Sequence, residues 1–142
     1  MYEKKYKILM LTTSTQYGGA ETHILELARY LNLNGCEVKI LSNAGNHDLF
    51  VQEIIKSGIA HINAPFGSRN IFAMGKSARI IKKIIKDFKP DIVHAHSRIP
   101  AFAAAHICRR FKTPLVTTMH GTYKNTPLLR LLTNWGDRKS VV

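Results

Sequence analysis

The segment from Lys7 to Leu31 reads KILMLTTSTQYGGAETHILELARYL and changes character twice. It begins with a short apolar run, residues 7–12, and it ends with a stretch of helical periodicity that starts near Ala20. Two adjacent glycines, Gly18 and Gly19, stand just before that stretch. A buried strand that passes through a glycine turn into an amphipathic helix is typical of the first unit of a parallel α/β sheet.

The rest of the chain repeats this alternation of short apolar runs and longer helical segments. Predicted strands lie at residues 7–12, 37–42, 59–63, 92–96 and 113–119, and predicted helices lie at about 20–34, 48–57, 70–88 and 100–111. The fold class is therefore predicted to be α/β, as a Rossmann-like open, mostly parallel sheet with helices on both faces. Residues 1–142 are expected to form a single domain.

The last residues point to a longer polypeptide. After residue 121 the pattern predicts one more helix, to about Trp135, and then a strand that begins near Arg138. A strand that starts there has no room to extend before Val142. We therefore expect the 142 residues to be one domain of a longer polypeptide.

The amino-acid composition limits which kinds of partner and which cellular compartment are expected. Lys and Arg number 21 and Asp and Glu number 9, which gives a formal net charge of +12 and favours phosphorylated molecules, acidic lipids or nucleic acid as partners. Two cysteines, Cys36 and Cys108, stand in no metal-binding pattern, which suggests reduced thiols. The apolar runs are too short for a secretion signal or a membrane-spanning helix. We expect a cytoplasmic protein whose membrane contact, where it exists, is peripheral.

The glycine pair admits two interpretations. Gly18 and Gly19 follow the first predicted strand, at the sheet edge where α/β proteins bind ligands, and a helix start there could hold a phosphate. Alternatively the pair only forms a tight turn, and Glu21 only complements the positive helix end. The dinucleotide motif G-x-G-x-x-G and the P-loop motif are both missing, and no acidic pair follows the first strand. These absences disfavour NAD-binding domains, P-loop NTPases and receiver domains.

Histidines close the fourth and fifth predicted strands. The fourth ends in HAHS, residues 94–97, and its periodicity places His94 and His96 on one face, so that one should pack under a helix and the other reach the cleft. No third ligand accompanies them, so no metal site is predicted. His120 closes the fifth strand and could bind a sugar hydroxyl or a phosphate, or transfer a proton. Alternatively it fastens the loop.

The predicted helix 70–88 carries a concentrated positive charge. Its basic residues, with the lysine that follows it, are Lys76, Arg79, Lys82, Lys83, Lys86 and Lys89. One interpretation is a solvated face of an amphipathic helix, and the other is a surface for anionic lipid or a phosphorylated acceptor. Arg69, in the loop just before the helix, is a candidate acceptor contact.

Three motifs in a fixed order resemble a known family. They are GGAE at 18–21, DIVHAHS at 91–97 and TTMHGTY at 117–123, and the resemblance extends over nearly the whole chain. The chain resembles the N-terminal, acceptor-side domain of the family-4 retaining glycosyltransferases, which have the two-domain GT-B architecture. The resemblance implies transfer of a sugar from a nucleotide-sugar donor to a glycan, lipid-linked or small-molecule acceptor, with retention of configuration, and with neither a metal nor another cofactor.

The resemblance also implies roles for individual residues. Gly18 and Gly19 would lie near the donor diphosphate, with Glu21 close to the cleft. His120 would be the active-site histidine that contacts the transferred sugar. The remaining substrate-binding candidates are Arg69, His96, Ser97, Arg98, Gly121 and Thr122, of which His96, Ser97 and Arg98 would face the acceptor.

The donor-binding half of such enzymes has no counterpart in this sequence. We therefore expect the chain to be inactive alone and to need a C-terminal donor-binding domain as its partner. The expected setting is carbohydrate or cell-envelope biosynthesis. The alternative is a non-catalytic basic module that binds an anionic membrane or nucleic acid, although aromatic residues are only 8% of the chain, which disfavours RNA binding.

Overall fold

The computed structural model describes residues 5–14, 16–66 and 70–120. Strands and helices alternate along this part of the chain. They are β1 (Lys7–Thr12), α1 (Gly19–Leu33), β2 (Glu37–Ser42), α2 (Leu49–Lys56), β3 (Ala60–Asn63), α3 (Ile71–Phe88), β4 (Ile92–His96), α4 (Arg98–Arg110) and β5 (Leu115–Thr118). The predicted order of elements is confirmed over these residues. The helix and strand predicted after residue 121 lie outside the described residues.

The five strands form one parallel sheet in the order β3-β2-β1-β4-β5. The central strand β1 pairs with both β2 and β4, so that Thr12 lies level with Ser42 on one side and with His96 on the other. Because the chain builds outward from β1 first in one direction and then in the other, a crevice opens beyond the carboxyl ends of β1 and β4. Open α/β sheets bind ligands at this switch point.

The alternation of side chains along β1 divides the core into two layers. Leu9 and Leu11 pack with α3 and α4, whereas Ile8 and Met10 pack with α1 and α2. Both faces of the sheet are therefore covered by helices, as predicted. A central strand buried on both faces must be apolar at nearly every position, and this explains the uninterrupted run in its sequence.

Local sequence sets where the helices begin and end. Asp48 and Asn70 cap α2 and α3 by accepting hydrogen bonds from the backbone N–H groups of Phe50 and Phe72, at 2.8 and 3.0 Å. Helix α1 is followed by Gly35 with a φ of 86°, the left-handed conformation that glycine adopts most easily. Helices α3 and α4 instead end before lysines in that conformation, Lys89 and Lys112, and a proline follows each of them closely.

One helix begins earlier than its sequence predicts. Helix α4 starts at Arg98, whereas the position of Pro100 suggested a start at about residue 100. Proline is tolerated at the third position of a helix because N–H groups of the first turn have no partner within the helix. The strands β3 and β5 are shorter than predicted. No described helix has both the length and the apolar composition needed to cross a bilayer.

Candidate functional site

Three loops meet at the carboxyl edge of the sheet, after β1, β4 and β5. The side chain of Thr13 bonds the side chain of Ser97 across the crevice, with 3.2 Å between the two hydroxyl oxygens. The backbone N–H of Ser97 donates to the carbonyl oxygen of Thr118 at 2.9 Å. Residues from three separate strand ends are thus held in direct contact, and this contact defines the candidate site.

The glycine loop forms the N-terminus of α1. Gly18 is the capping residue, and its N–H donates to Oε2 of Glu21 at 3.1 Å. Glu21 is only 7% exposed, so its carboxylate closes the start of the helix instead of lying open to the cleft. Gly19 begins the helix, and a Cβ atom added there would meet no described atom within 4 Å. The free side of the helix start is therefore at Gly19 and Ala20, whose N–H groups lie in the first turn.

Four histidines from three parts of the chain, β4, α1 and the segment just after β5, cluster beside this loop. The rings of His94 and His96 lie 4.0 Å apart between centroids, and the ring of His120 lies 5.4 Å from that of His96. The ring of His23, on α1, is also 5.4 Å from His120 and is turned edge-on to it. Two hydrogen bonds fix the cluster: His94 Nε2 with Thr118 Oγ1 at 2.8 Å, and His96 Nδ1 with His120 Nε2 at 3.1 Å.

Burial keeps the inner histidines neutral. The His96 side chain is 1% exposed, and burial, with the neighbouring His94, His120 and His23, lowers its pKa to about 3. The pKa of His94 is lowered by the same two causes, burial first and then the charges of His23 and His120. The inner part of the cluster, His94 and His96, therefore consists of uncharged imidazoles, and it adds no positive charge to the cleft near neutral pH.

Ser97 has an unusual backbone conformation. Its φ of 85° and ψ of 169° fall in a region that is populated almost only by glycine, which implies a strain of about 1–3 kcal/mol. Its hydroxyl group does not cap α4, although Ser97 occupies the capping position, and it bonds Thr13 instead. The conformation turns the chain directly from β4 into α4, which places partly buried Arg98 at the first helical position. Backbone strain of this kind concentrates at functional sites.

Most of the residues predicted from sequence come together at this edge. Gly18, Gly19, Glu21, Ser97 and Arg98 lie in the loops or first helical turns there, and His96 and His120 belong to the histidine cluster. The other three, Arg69, Gly121 and Thr122, lie outside the described residues.

The structure changes the expected position of the histidines of β4. His94 is partly buried and His96 is almost fully buried, so neither ring has a wide opening to the cleft of its own. The pairing of His96 with His120 links it to the more exposed histidine. His96 was expected to face the acceptor. In the structure its ring is buried and is hydrogen-bonded to the more exposed His120.

Sequence reasoning missed His23 and the anchor of the glycine loop. His23 is exposed and lies in the second turn of α1, five residues after Gly18, so its closeness to the sheet edge could have been inferred from the helix start. Ser14 donates its backbone N–H to Asn43 Oδ1 at 2.7 Å, which ties the loop to the end of β2. No periodicity in the sequence indicates this last contact.

Other features of the surface lie apart from this site. A groove of about 520 Å³ lies at the opposite, amino edge of the sheet, between the C-terminal ends of α3 and α4, with Pro90 and Pro114 in its wall. Within residues 5–14, 16–66 and 70–120, no three His, Cys, Asp or Glu side chains are grouped in the way that metal ligands would be. The four histidines contact one another as rings, and His96 and His120 are also joined by an N···N hydrogen bond.

A family model and a solved structure both relate the chain to glycosyltransferases. A family model described as Glycosyltransferase Family 4 matches residues 17–140. A solved glycosyltransferase from Rickettsia africae ESF-5 is 32% identical, with a TM-score of 0.80, and the alignment covers 93% of this chain and 34% of that one. The chain therefore spans about a third of the length of that relative. None of the curated protein sequences matches the chain.

Two further solved structures share the fold at lower identity. MurG from Acinetobacter baumannii is 17% identical, with a TM-score of 0.67, and the match covers 94% of this chain and 39% of that one. HepE from Anabaena, solved in complex with UDP and glucose, is 18% identical, with a TM-score of 0.69 and coverage of 95% and 36%. At these identities the similarity establishes the architecture, which is the N-terminal half of the GT-B fold.

The strained backbone at Ser97 predicts that a glycine variant at this position is more stable than an alanine variant. Ser97→Ala and Ser97→Gly both remove the hydroxyl group that bonds Thr13, but only glycine relieves the backbone conformation. We expect the glycine variant to have the higher free energy of unfolding, by about 1 kcal/mol or more, as measured by urea denaturation. An alanine variant as stable as the glycine variant would contradict the strained conformation.

The buried His96 predicts a loss of stability in mild acid. The His96 pKa is about 6.5 unfolded and about 3 folded, so below pH 6.5 the unfolded chain binds a proton that the folded chain does not, and stability falls with pH. Between pH 7.5 and pH 5 the loss from this residue is on the order of 2 kcal/mol. Burial lowers the pKa of His94 and His61 in the same direction. His96→Asn, compared by urea denaturation at both pH values, should flatten the slope, and an equal slope in both proteins would contradict the assignment.

Proposed function

Because the chain belongs to glycosyltransferase family 4, we propose that it forms the acceptor side of an enzyme that transfers a sugar from a nucleotide-sugar donor with retention of configuration. The observation that carries the proposal is the convergence of the α1 helix start, Ser97 and His120 at the switch point of the sheet, inside the region that matches the family model. This convergence supplies anion-binding N–H groups and an imidazole within one crevice.

The diphosphate of the donor is proposed to dock at Gly19 and Ala20. A helix start attracts an anion by about 0.3–1 kcal/mol, and no described atom crowds the space beside Gly19. Gly18 is less suitable, because its N–H already binds Glu21 and the carboxylate would repel a second anion. In the transfer step, negative charge develops on the leaving diphosphate, and oriented N–H donors stabilise that charge more than they stabilise the ground state.

His120 is the proposed catalytic residue, in contact with the transferred sugar. It is only partly buried, whereas His96 beneath it is almost fully buried, so His120 is the member of the bonded pair that a substrate can reach. A hydrogen bond from its ring to a sugar hydroxyl would orient the anomeric carbon between the diphosphate and the acceptor. Ser97 and Arg98, at the start of α4, are proposed to contact the acceptor, and Arg69, Gly121 and Thr122 remain further candidates.

The donor-binding half is proposed to lie outside this chain. The chain spans 34% of the Rickettsia africae glycosyltransferase, and within that length the sequence offers no second α/β half. We propose that a C-terminal domain binds the nucleotide and that residues 1–142 are inactive alone. Following the family resemblance, the transfer is proposed to need no metal or other cofactor. UDP is a reasonable first donor nucleotide to test, since HepE was solved with it.

A peripheral contact with an anionic membrane is a second proposal, which suits a lipid-linked acceptor. Helix α3 presents exposed Lys76, Arg79, Lys83 and Lys86. Its first two residues, Ile71 and Phe72, are 82% and 86% exposed. Exposed apolar side chains beside a basic helical face are typical of proteins that lie on membrane surfaces. We propose a cytoplasmic enzyme of carbohydrate or cell-envelope biosynthesis that touches the inner face of the membrane.

Two variants should test the proposed roles of His120 and Gly19 separately. They are made in the polypeptide that contains both the acceptor-side and the donor-binding domain. His120→Ala should lower kcat by about 10²-fold or more, the magnitude typical of a lost polar contact to the transition state. It should also lower the free energy of unfolding in urea by about 1–3 kcal/mol, because the buried His96 loses its hydrogen-bond partner, so kcat is measured where the variant is fully folded. Gly19→Val should raise the donor KM, because the side chain enters the diphosphate position. Gly75→Val, at an open helical position of α3, is the matched control. Near-normal kcat for His120→Ala would reject its catalytic role. An unchanged donor KM for Gly19→Val would mean that the two glycines only form the turn and do not bind the diphosphate.

Vesicle sedimentation tests the membrane proposal independently of catalysis. The chain should bind vesicles of anionic lipid more strongly than neutral ones, and less strongly as salt increases. Replacing Lys76 and Lys86 by Glu should lower binding roughly 30-fold or more, from about 1 kcal/mol per basic residue. Lys5→Glu with Lys56→Glu gives the same change in net charge away from α3, before β1 and on α2, which packs on the other face of the sheet, and should have a smaller effect. Equal binding to neutral vesicles, or equal losses in the two double variants, would reject the proposal.

A further inference from the structure

The two ring nitrogens of His96 have different surroundings. Nδ1 lies 3.1 Å from Nε2 of His120, and the planes of the two rings are nearly parallel, at 14°. Nε2 of His96 is buried and has no hydrogen-bond partner among the described residues. The whole residue is 1% exposed. His96 therefore makes a single polar contact in this part of the chain, and that contact is with His120.

The position of the proton on His96 follows from this difference. A neutral imidazole carries one N–H, on either Nδ1 or Nε2. A proton on Nε2 would leave a buried N–H without an acceptor, which is among the rarer and more costly defects in proteins. A proton on Nδ1 donates to His120 and leaves only an unused lone pair on Nε2. The second arrangement is favoured, so His96 is the donor of this hydrogen bond.

The donor role of His96 determines the state of His120. If His120 Nε2 accepts the bond, a neutral His120 must carry its own proton on Nδ1. We propose that His96 is a positioning residue that holds His120 in the Nδ1–H tautomer, so that His120 offers an N–H donor, and not a free lone pair, to an oxygen of the substrate. The tautomer itself follows from the cluster; only its use toward a sugar or phosphate oxygen rests on the proposed function.

The surroundings of His96 keep it suited to this role. His94, on the same strand, packs its ring 4.0 Å from that of His96 and is fixed in turn by Thr118. The groups whose charge acts on the His96 pKa are His94 on β4, His120 after β5 and His23 on α1. All three are imidazoles, and together with burial they oppose a second proton on His96. A ring that stays neutral keeps one donor and one acceptor, and its single proton is directed at His120.

Nuclear magnetic resonance of the imidazole nitrogens tests the inference without any substrate. Long-range ¹H–¹⁵N correlation spectra of the uniformly ¹⁵N-labelled chain at pH 7.5 distinguish the two tautomers of each histidine. We expect His96 and His120 both to be Nδ1–H, with the His120 preference roughly tenfold, as one hydrogen bond can provide. An Nε2–H tautomer of His120 in the unsubstituted chain would overturn the proposal, and this outcome requires no variant to fold.

Two substitutions at position 96 separate positioning from packing. His96→Leu removes the donor and should abolish the tautomer preference of His120. His96→Asn places an amide N–H close to the position of Nδ1 and should restore the preference. The exposed His106 on α4 serves as the internal control, since its signals should be the same in all three proteins. A preference that persists in a folded His96→Leu chain would refute the role of His96.

The kinetic test of His120 answers a different question. If His120→Ala leaves kcat unchanged while the spectra show the Nδ1–H tautomer, the proposed function fails and the positioning of His120 by His96 stands. If His120→Ala abolishes turnover while His96→Leu leaves the tautomer of His120 unchanged, the proposed function stands and the positioning role fails. Each of the two proposals can therefore be rejected without rejecting the other.

Discussion

The pairing of β1 with a parallel strand on each side is the constraint on which the rest of the structure depends. Parallel neighbours cannot be joined by a tight turn, so each of the strands β1 to β4 is followed by a helix that returns the chain to the opposite edge. All strands then end at the same edge, and the registers bring Thr12, His96 and Thr118 level with one another. The hydrogen bond between the side chains of Thr13 and Ser97, which joins the ends of β1 and β4, is possible only because of that alignment.

The distribution of charge within the domain follows from burial. The chain carries a formal charge of +12, yet the inner histidines of the cleft are neutral and Glu21 is used to close a helix. Several positive side chains lie on α3, whereas the crevice itself offers N–H groups, uncharged rings and the guanidinium group of Arg98. Attraction of an anion over long distances and its binding at short range thus depend on different parts of the molecule.

The sequence predicted the fold much better than the details of the site. The bounds of β1, β2 and β4 agree with the structure because each strand holds its buried apolar residues in a short segment that glycine, proline or polar residues delimit. The conformation of Ser97 could not be predicted, because it is imposed by contacts with Thr13 and Thr118, which are distant in sequence. The pairing of His96 with His120 has the same origin, since strand periodicity gives the face of a residue and not its partner on the next strand.

The ends of α3 and α4 restrict how this domain can move. In each case a lysine with positive φ ends the helix, at Lys89 and Lys112, and Pro90 or Pro114 precedes the next strand. Proline cannot extend a helix without loss of a hydrogen bond and a steric clash, so neither helix can grow by a turn into the strand that follows it. A ratchet-like shift of helix against sheet is therefore disfavoured at both junctions. Any rearrangement that accompanies closure of the crevice should arise in the loops at the carboxyl edge, with the sheet and its helices moving as one rigid body.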